Sequence, residues 1–120
     1  MDGAMNHDVS EVLIAAGRVP EGELVALDLP LGDEIVALMA RRRGNELQVW
    51  HNVCPHAGRR LDYAPGRFLV SEGRLVCAAH GAQFSLDDGL CIDGPGRGGA
   101  LAALATNRVP GGWNVVLRHP

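Results

Sequence analysis

Cys54-Pro55-His56-Ala57-Gly58 and Cys77-Ala78-Ala79-His80-Gly81 decide how this chain is read. Each stretch carries one cysteine and one histidine. The spacing is Cys-x-His in the first and Cys-x-x-His in the second, and 20 residues lie between His56 and Cys77. Thiolate and imidazole are ligands for zinc, copper and iron–sulfur centres. The same two-ligand mix in each of two loops argues for a site with two unlike ends. A [2Fe–2S] cluster with two Cys on one iron and two His on the other has that shape. A structural Cys2His2 zinc site uses identical ligand types, although zinc fingers and ribbons usually pair like spacings.

Working outward, the flanks read as short strands punctuated by turns. Glu11 to Ala16 is a short apolar strand closed by Gly17. Leu24 to Leu29 and Glu34 to Arg41 form a hairpin around Pro30-Leu31-Gly32-Asp33, and Arg42-Arg43-Gly44-Asn45 turns the chain again. Glu46 to Val53 alternates imperfectly, with Leu47, Val49 and His51 on one face. Between the boxes, Phe68 to Ser71 and Arg74 to Cys77 flank a hairpin turn at Glu72-Gly73. A larger hairpin is expected from Tyr63 to Gly73. Gly81 to Leu86 and Leu90 to Ile92 flank Asp87-Asp88-Gly89. Leu101 to Val109 and Trp113 to Arg118 are expected to pair across Pro110-Gly111-Gly112. Many short strands with Gly and Pro turns predict an all-β, antiparallel sandwich or small barrel. A metal-binding lobe at about residues 53–95 interrupts its strand order. The expected organisation is a flexible tail at residues 1–8 and a single domain at residues 9–120.

Composition narrows the function. Formal net charge is -3, which gives no general case for nucleic acid or membrane binding. The first forty residues hold eight acidic side chains against Arg18 alone. Residues 41–80 hold seven Arg against Glu46, Asp62 and Glu72, so the stretch with the boxes is locally basic. Three cysteines make no even disulfide framework. No basic leader and no apolar run near 20 residues is present, so a cytoplasmic protein is expected. Cys91, between Leu90 and Ile92, reads as a buried thiol rather than a ligand. His7 and His119 are expected to be solvated and His51 to face a strand, while Trp50 and Trp113 are expected in the base core.

With these residues in view, the chain resembles a Rieske-type [2Fe–2S] protein of the small soluble ferredoxin kind. The likeness rests on Cys54-x-His56 with Ala57-Gly58, and on Cys77-x-x-His80 with Gly81-Ala82-Gln83-Phe84. Asp87-Asp88-Gly89 and Gly94-Pro95 resemble the family's downstream turn and its proline loop. The resemblance is strong from Trp50 to Pro95, and elsewhere lies only in strand rhythm. It implies one cluster per chain, held by Cys54, His56, Cys77 and His80. Gly58, Gly81, Gly89 and Gly94 would let the backbone approach the cluster and aim N–H groups at its sulfides.

The same resemblance implies a low reduction potential. Respiratory Rieske proteins hydrogen-bond their cluster through a Ser and a Tyr hydroxyl, and the matching places here are Ala82 and Phe84. Their inter-loop disulfide would fall on Arg59 and Ala79, where it cannot form. The histidines left over, His7, His51 and His119, show no context for the mononuclear iron of an oxygenase. The expected role is therefore a one-electron carrier between a reductase and a terminal oxygenase-like enzyme. A small subunit of an NAD(P)H nitrite-reductase-like enzyme and a zinc-stabilised interaction module are the alternatives. The electron is expected to leave through the His56/His80 end, with at least one of Arg59 and Arg60, directly after the first box, flanking that tip and guiding docking while Leu61 turns inward.

Overall fold

Period-two alternation builds two facing sheets around one apolar core. The computed structural model describes residues 9–55, 58–77, 81–94 and 99–120, so the expected tail at residues 1–8 lies outside the described residues. One sheet has the strand order β2-β3-β4-β9, formed by Leu24–Leu31, Glu34–Arg43, Glu46–His51 and Ala103–Leu104. Opposite it, β1 (Val9–Ala15), β11 (Gly112–Arg118) and β10 (Thr106–Val109) form a three-stranded sheet in that order. All these ladders are antiparallel. Alternate residues face inward: Leu27, Leu29 and Leu31 from β2, Val36, Leu38 and Ala40 from β3, and Trp113, Val115 and Leu117 from β11. Each such large side chain withdrawn from water contributes about 1.5–3 kcal/mol. This is the sandwich base expected from the sequence.

The second unit is a four-stranded antiparallel sheet, β5-β6-β7-β8, formed by Leu69–Ser71, Arg74–Val76, Gln83–Ser85 and Cys91–Asp93. Its inner face supplies Leu75, Phe84 and Cys91 to a separate apolar core that also takes Leu61, Ala82, Leu86 and Leu101. Met39 and Trp50, on the outer face of the base sheet, complete it. β3 and β4 are thus buried on both faces where the two units meet, which is why the alternation of β4 reads as imperfect. At the far end of this sheet, Arg43 reaches Asp87 at 3.2 Å, Arg41 donates to the Leu86 carbonyl at 3.1 Å and Gln48 to the Asp87 carbonyl at 2.8 Å.

Several expectations are corrected. β2 continues through Pro30, which pairs with Ile35, and turns only at Gly32-Asp33. β2 is an edge strand, where a missing N–H can face away from its neighbour. β3 runs to Arg43, and Gly44-Asn45 makes the turn. Leu101 to Val109 is not one strand: β9 pairs with β4, and after Ala105 the chain crosses to the other sheet as β10. The final turn is Pro110-Gly111, since Gly112 already pairs with Val109. Trp113 sits in the base core as expected, but Trp50 belongs to the second core. The expected hairpin from Tyr63 to Gly73 is two structures, a tight turn joining Ala64 to Arg67 and the separate β5–β6 hairpin.

Candidate metal centre

The first cysteine box leaves the end of β4 and the second joins β6 to β7. Despite their unlike histidine spacing, the two loops close in the same way. In the first, the Cys54 N–H donates to the Arg59 carbonyl at 2.7 Å, and the Gly58 N–H donates to the Cys54 carbonyl at 2.8 Å. In the second, the Cys77 N–H donates to the Ala82 carbonyl at 2.8 Å, and the Gly81 N–H donates to the Cys77 carbonyl at 2.7 Å. Both loops are therefore Cys-x-x-x-Gly turns with identical bonding at the first, fifth and sixth positions. The closing glycine adopts φ 67° in one and φ 75° in the other, a conformation that L side chains rarely take.

Cys54 and Cys77 are 0 % and 1 % exposed and share the second core with Ala82 and Phe84. His56 and His80 lie outside the described residues, as do Ala79 and Pro95. The structure thus brings the two cysteine loops to one buried core.

A clamp that the sequence does not announce holds the first loop to the base. The Asn52 Oδ1 accepts the Leu61 N–H at 2.8 Å. Asp62, whose side chain is 1 % exposed, accepts Nε and Nη2 of Arg60 at 2.8 Å each, and the Gly66 N–H at 3.1 Å. Arg60 Nη2 also reaches Asp28 on β2 at 3.4 Å. The Arg60 hydrogen bonds hold the Asp62 carboxyl below the ordinary carboxylate range against the opposing effect of burial, helped by the Gly66 N–H. The same pairing raises the Arg60 pKa, so it stays charged. The sequence signal for this clamp was slight: an Asn before the box and an Arg-x-Asp after it.

The glycines have identifiable local roles. The N–H groups of Gly58 and Gly81 bond the cysteine carbonyls, that of Gly89 bonds the Ser85 carbonyl, and that of Gly94 bonds Asp93 Oδ1. Those four donors close turns. Gly89 lies against the indole, where an added Cβ would stand 2.9 Å from Trp50 Nε1. Gly94 approaches the second loop so closely that a Cβ would meet Ala82 Cα and the Gly81 carbonyl oxygen at 3.0 Å.

The remaining residues divide. Leu61 is buried in the second core, as expected. Cys91 is buried there too, with its Sγ 3.4 Å from the Asp93 carbonyl. Arg59 and Arg60 are both exposed, and the Arg60 guanidinium is in addition engaged by the Asp62 and Asp28 carboxylates. His119 is partly buried and lies 3.5 Å from Glu34. His51 is 1 % exposed, and neither ring nitrogen is hydrogen-bonded among the described residues. Burial, then the charges of Arg118 and His119, lower its pKa and favour the neutral ring.

Two buried thiol sulfurs in matched loops, each loop carrying a histidine in its sequence, suit a two-iron cluster with unlike ends. The fold and these loops define the class, a small all-β metalloprotein. The chain belongs to the Rieske [2Fe-2S] domain family, whose model matches residues 10–108, and the family carries a [2Fe–2S] cluster. No curated protein matches it by sequence. Among solved structures it is similar to the terminal oxygenase of carbazole 1,9a-dioxygenase from Novosphingobium sp. KA1, with TM-score 0.67, 18% identity and coverage of 95% of this chain and 30% of that one. The terminal oxygenase from Nocardioides aromaticivorans IC177 gives TM-score 0.65 and 21% identity over 95% of this chain and 31% of that one. The reduced complex between oxygenase and ferredoxin in carbazole 1,9a-dioxygenase gives 0.69 and 20% over 92% and 28%. At these identities the likeness is one of fold. No helix among the described residues is long and apolar enough to cross a membrane.

Proposed function

We propose that this chain is a one-electron carrier whose cluster is held by Cys54, His56, Cys77 and His80. The observation that carries the reading is the equivalence of the two cysteine loops, which close on the same hydrogen bonds over one core. When bound, the cluster supplies reversible one-electron chemistry. The chain's own part is to keep the two sulfurs buried, hold the loops rigid and exclude water through Leu61, Leu75, Phe84 and Leu101. Residues 9–120 act as one domain in this reading, with the cluster-binding part at about 53–95. The partners are a cytoplasmic reductase and a terminal oxygenase-like enzyme, with no nucleic acid or membrane involved. The similarity to an oxygenase–ferredoxin complex supports that class of partner.

The test begins with iron and acid-labile sulfide analysis and EPR of the reduced protein. Stoichiometric iron and sulfide with a mixed His/Cys signal is the expected result. Cys54→Ser, Cys77→Ser, His56→Ala and His80→Ala each lose the cluster, because ligand binding is coupled to local folding. Cys91→Ser retains it. Purified reductase and NAD(P)H should then reduce the loaded protein. A colourless, zinc-loaded wild type would remove the reading.

A further inference from the structure

We propose that Asp62 is a positioning residue for the cluster: with Arg60 it pins the loop carrying Cys54 to the base and balances the charge beside that loop. This goes beyond the electron-carrier reading and rests on it only for the presence of a cluster.

Burying a carboxylate is unfavourable unless it is paired and fully hydrogen-bonded. Asp62 meets that condition with three donors, two from Arg60 and one from Gly66. The Asp62 side chain is 1 % exposed and that of Arg60 44 %, and an ion pair with one partner this open to solvent contributes little to stability, so stability alone does not account for burying the carboxylate. Its connections give it a second role. Arg60 reaches forward to Asp62 and across to Asp28 on β2. The backbone on either side of Arg60 is fastened as well: the Arg59 carbonyl accepts from Cys54, and the Leu61 N–H donates to Asn52. Leu61 packs in the same core as Cys54 and Cys77. A change at Asp62 therefore reaches Cys54 through bonded contacts.

Charge gives the role a measurable signature. Reduction adds a negative charge to the cluster, so a nearby carboxylate opposes it and a nearby guanidinium favours it. Together Arg60 and Asp62 nearly cancel. Asp62→Asn keeps the side-chain shape and leaves Arg60 facing only Asp28 at 3.4 Å, so the potential rises. Arg60→Gln leaves the carboxylate uncompensated, so the potential falls. The Asp62→Asn/Arg60→Gln double variant restores neutrality and returns the potential towards wild type.

The experiment is voltammetry of the four holoproteins at pH 7, with cluster loss under EDTA followed by visible absorbance. Expected are shifts of opposite sign in the single variants, cancellation in the double variant, and cluster loss faster by about 10–100-fold in both singles. Single variants with wild-type potentials, or with shifts of the same sign, overturn the proposal. Should a single variant fail to fold, Asp62→Glu decides. It keeps the charge and displaces it by one methylene, so the potential stays near wild type while the cluster leaves faster. A wild-type release rate in that variant overturns the proposal. No redox partner is needed, so these results stand apart from the identity of the partner. A wild type with no electrode signal would instead remove the electron-carrier reading itself.

Discussion

Gly58 donates its backbone N–H to the carbonyl of Cys54 at 2.8 Å, and it does so from the left-handed region of backbone space. An added Cβ at Gly58 or Gly81 meets nothing within 4 Å among the described residues, so the cost of Gly58→Ala or Gly81→Ala is conformational rather than steric. That cost is about 1–2 kcal/mol for an L residue in this region. Both variants should fold and load iron, with a lower urea midpoint for cluster release. Gly94→Ala adds a close approach to Ala82 and Gly81 and should be worse than either. Equal midpoints for all three variants would contradict the geometry.

Ala82 and Phe84 are both fully buried in the core that holds Cys54 and Cys77. Neither carries a hydroxyl. A hydroxyl donated to a cluster sulfur stabilises the more negative reduced state, so Ala82→Ser and Phe84→Tyr should raise the potential. Wild type should lie at the low end of the Rieske range, which spans about −150 to +300 mV. Voltammetry of the three proteins checks this, and a wild-type potential in the upper part of the range would refute it.

Arg59 and Arg60 should respond oppositely to substitution. Arg60 is bound to Asp62 and Asp28, so Arg60→Gln should speed cluster release. Arg59 is exposed beside the first box, where a charge mainly steers association with an acidic partner. Arg59→Gln should leave the cluster in place and lower the second-order electron-transfer rate, and most of that difference should vanish at high salt. An Arg59→Gln protein that reacts as fast as wild type at low ionic strength would leave this residue without a docking role.

His51 predicts a pH dependence of stability. Burial, with the Arg118 and His119 charges, holds its folded pKa below the ordinary histidine value of 6.5, so between the two values the unfolded chain binds more protons than the folded one. The contribution to stability is complete above pH 6.5 and is lost as pH falls from there towards the folded value. Urea midpoints of wild type and His51→Leu, measured from pH 8 to pH 5, should show wild type losing more stability on acidification. Parallel curves would mean that His51 does not contribute.

How much of this was legible in the chain depends on the range of the interaction. The hairpin turn at Glu72-Gly73 and the two cysteine boxes are local, and their residue types announce them. The alternation of Leu27, Leu29 and Leu31 likewise marks a buried face, although Pro30 suggested a turn two residues too early. Trp50 was misplaced because β4 is covered on both sides, and alternation cannot tell which of two cores a large side chain enters. The crossing at Ala105 was missed because both halves of Leu101 to Val109 read as strand, and only their partners differ. Asp62 was read as one charge in a basic stretch, since a carboxylate buried beneath the side chain of its neighbour but one leaves no periodic trace.

The chain leaves β4 at His51 and comes back to β4 at Ala102, whose carbonyl accepts the His51 N–H at 2.9 Å. Everything between departure and return is a closed excursion with its two feet side by side. Every member of the base core lies outside it, from Ile14 to Val49 and from Leu104 to Leu117. A short bridge from His51 to Ala102 could therefore stand in for the whole excursion without opening that core. Met39 and Trp50, with Leu24 at their margin, would lose their apolar cover. The base is in this sense a socket, and the cysteine loops with their supporting sheet are a cartridge that the chain inserts through one gap in one strand.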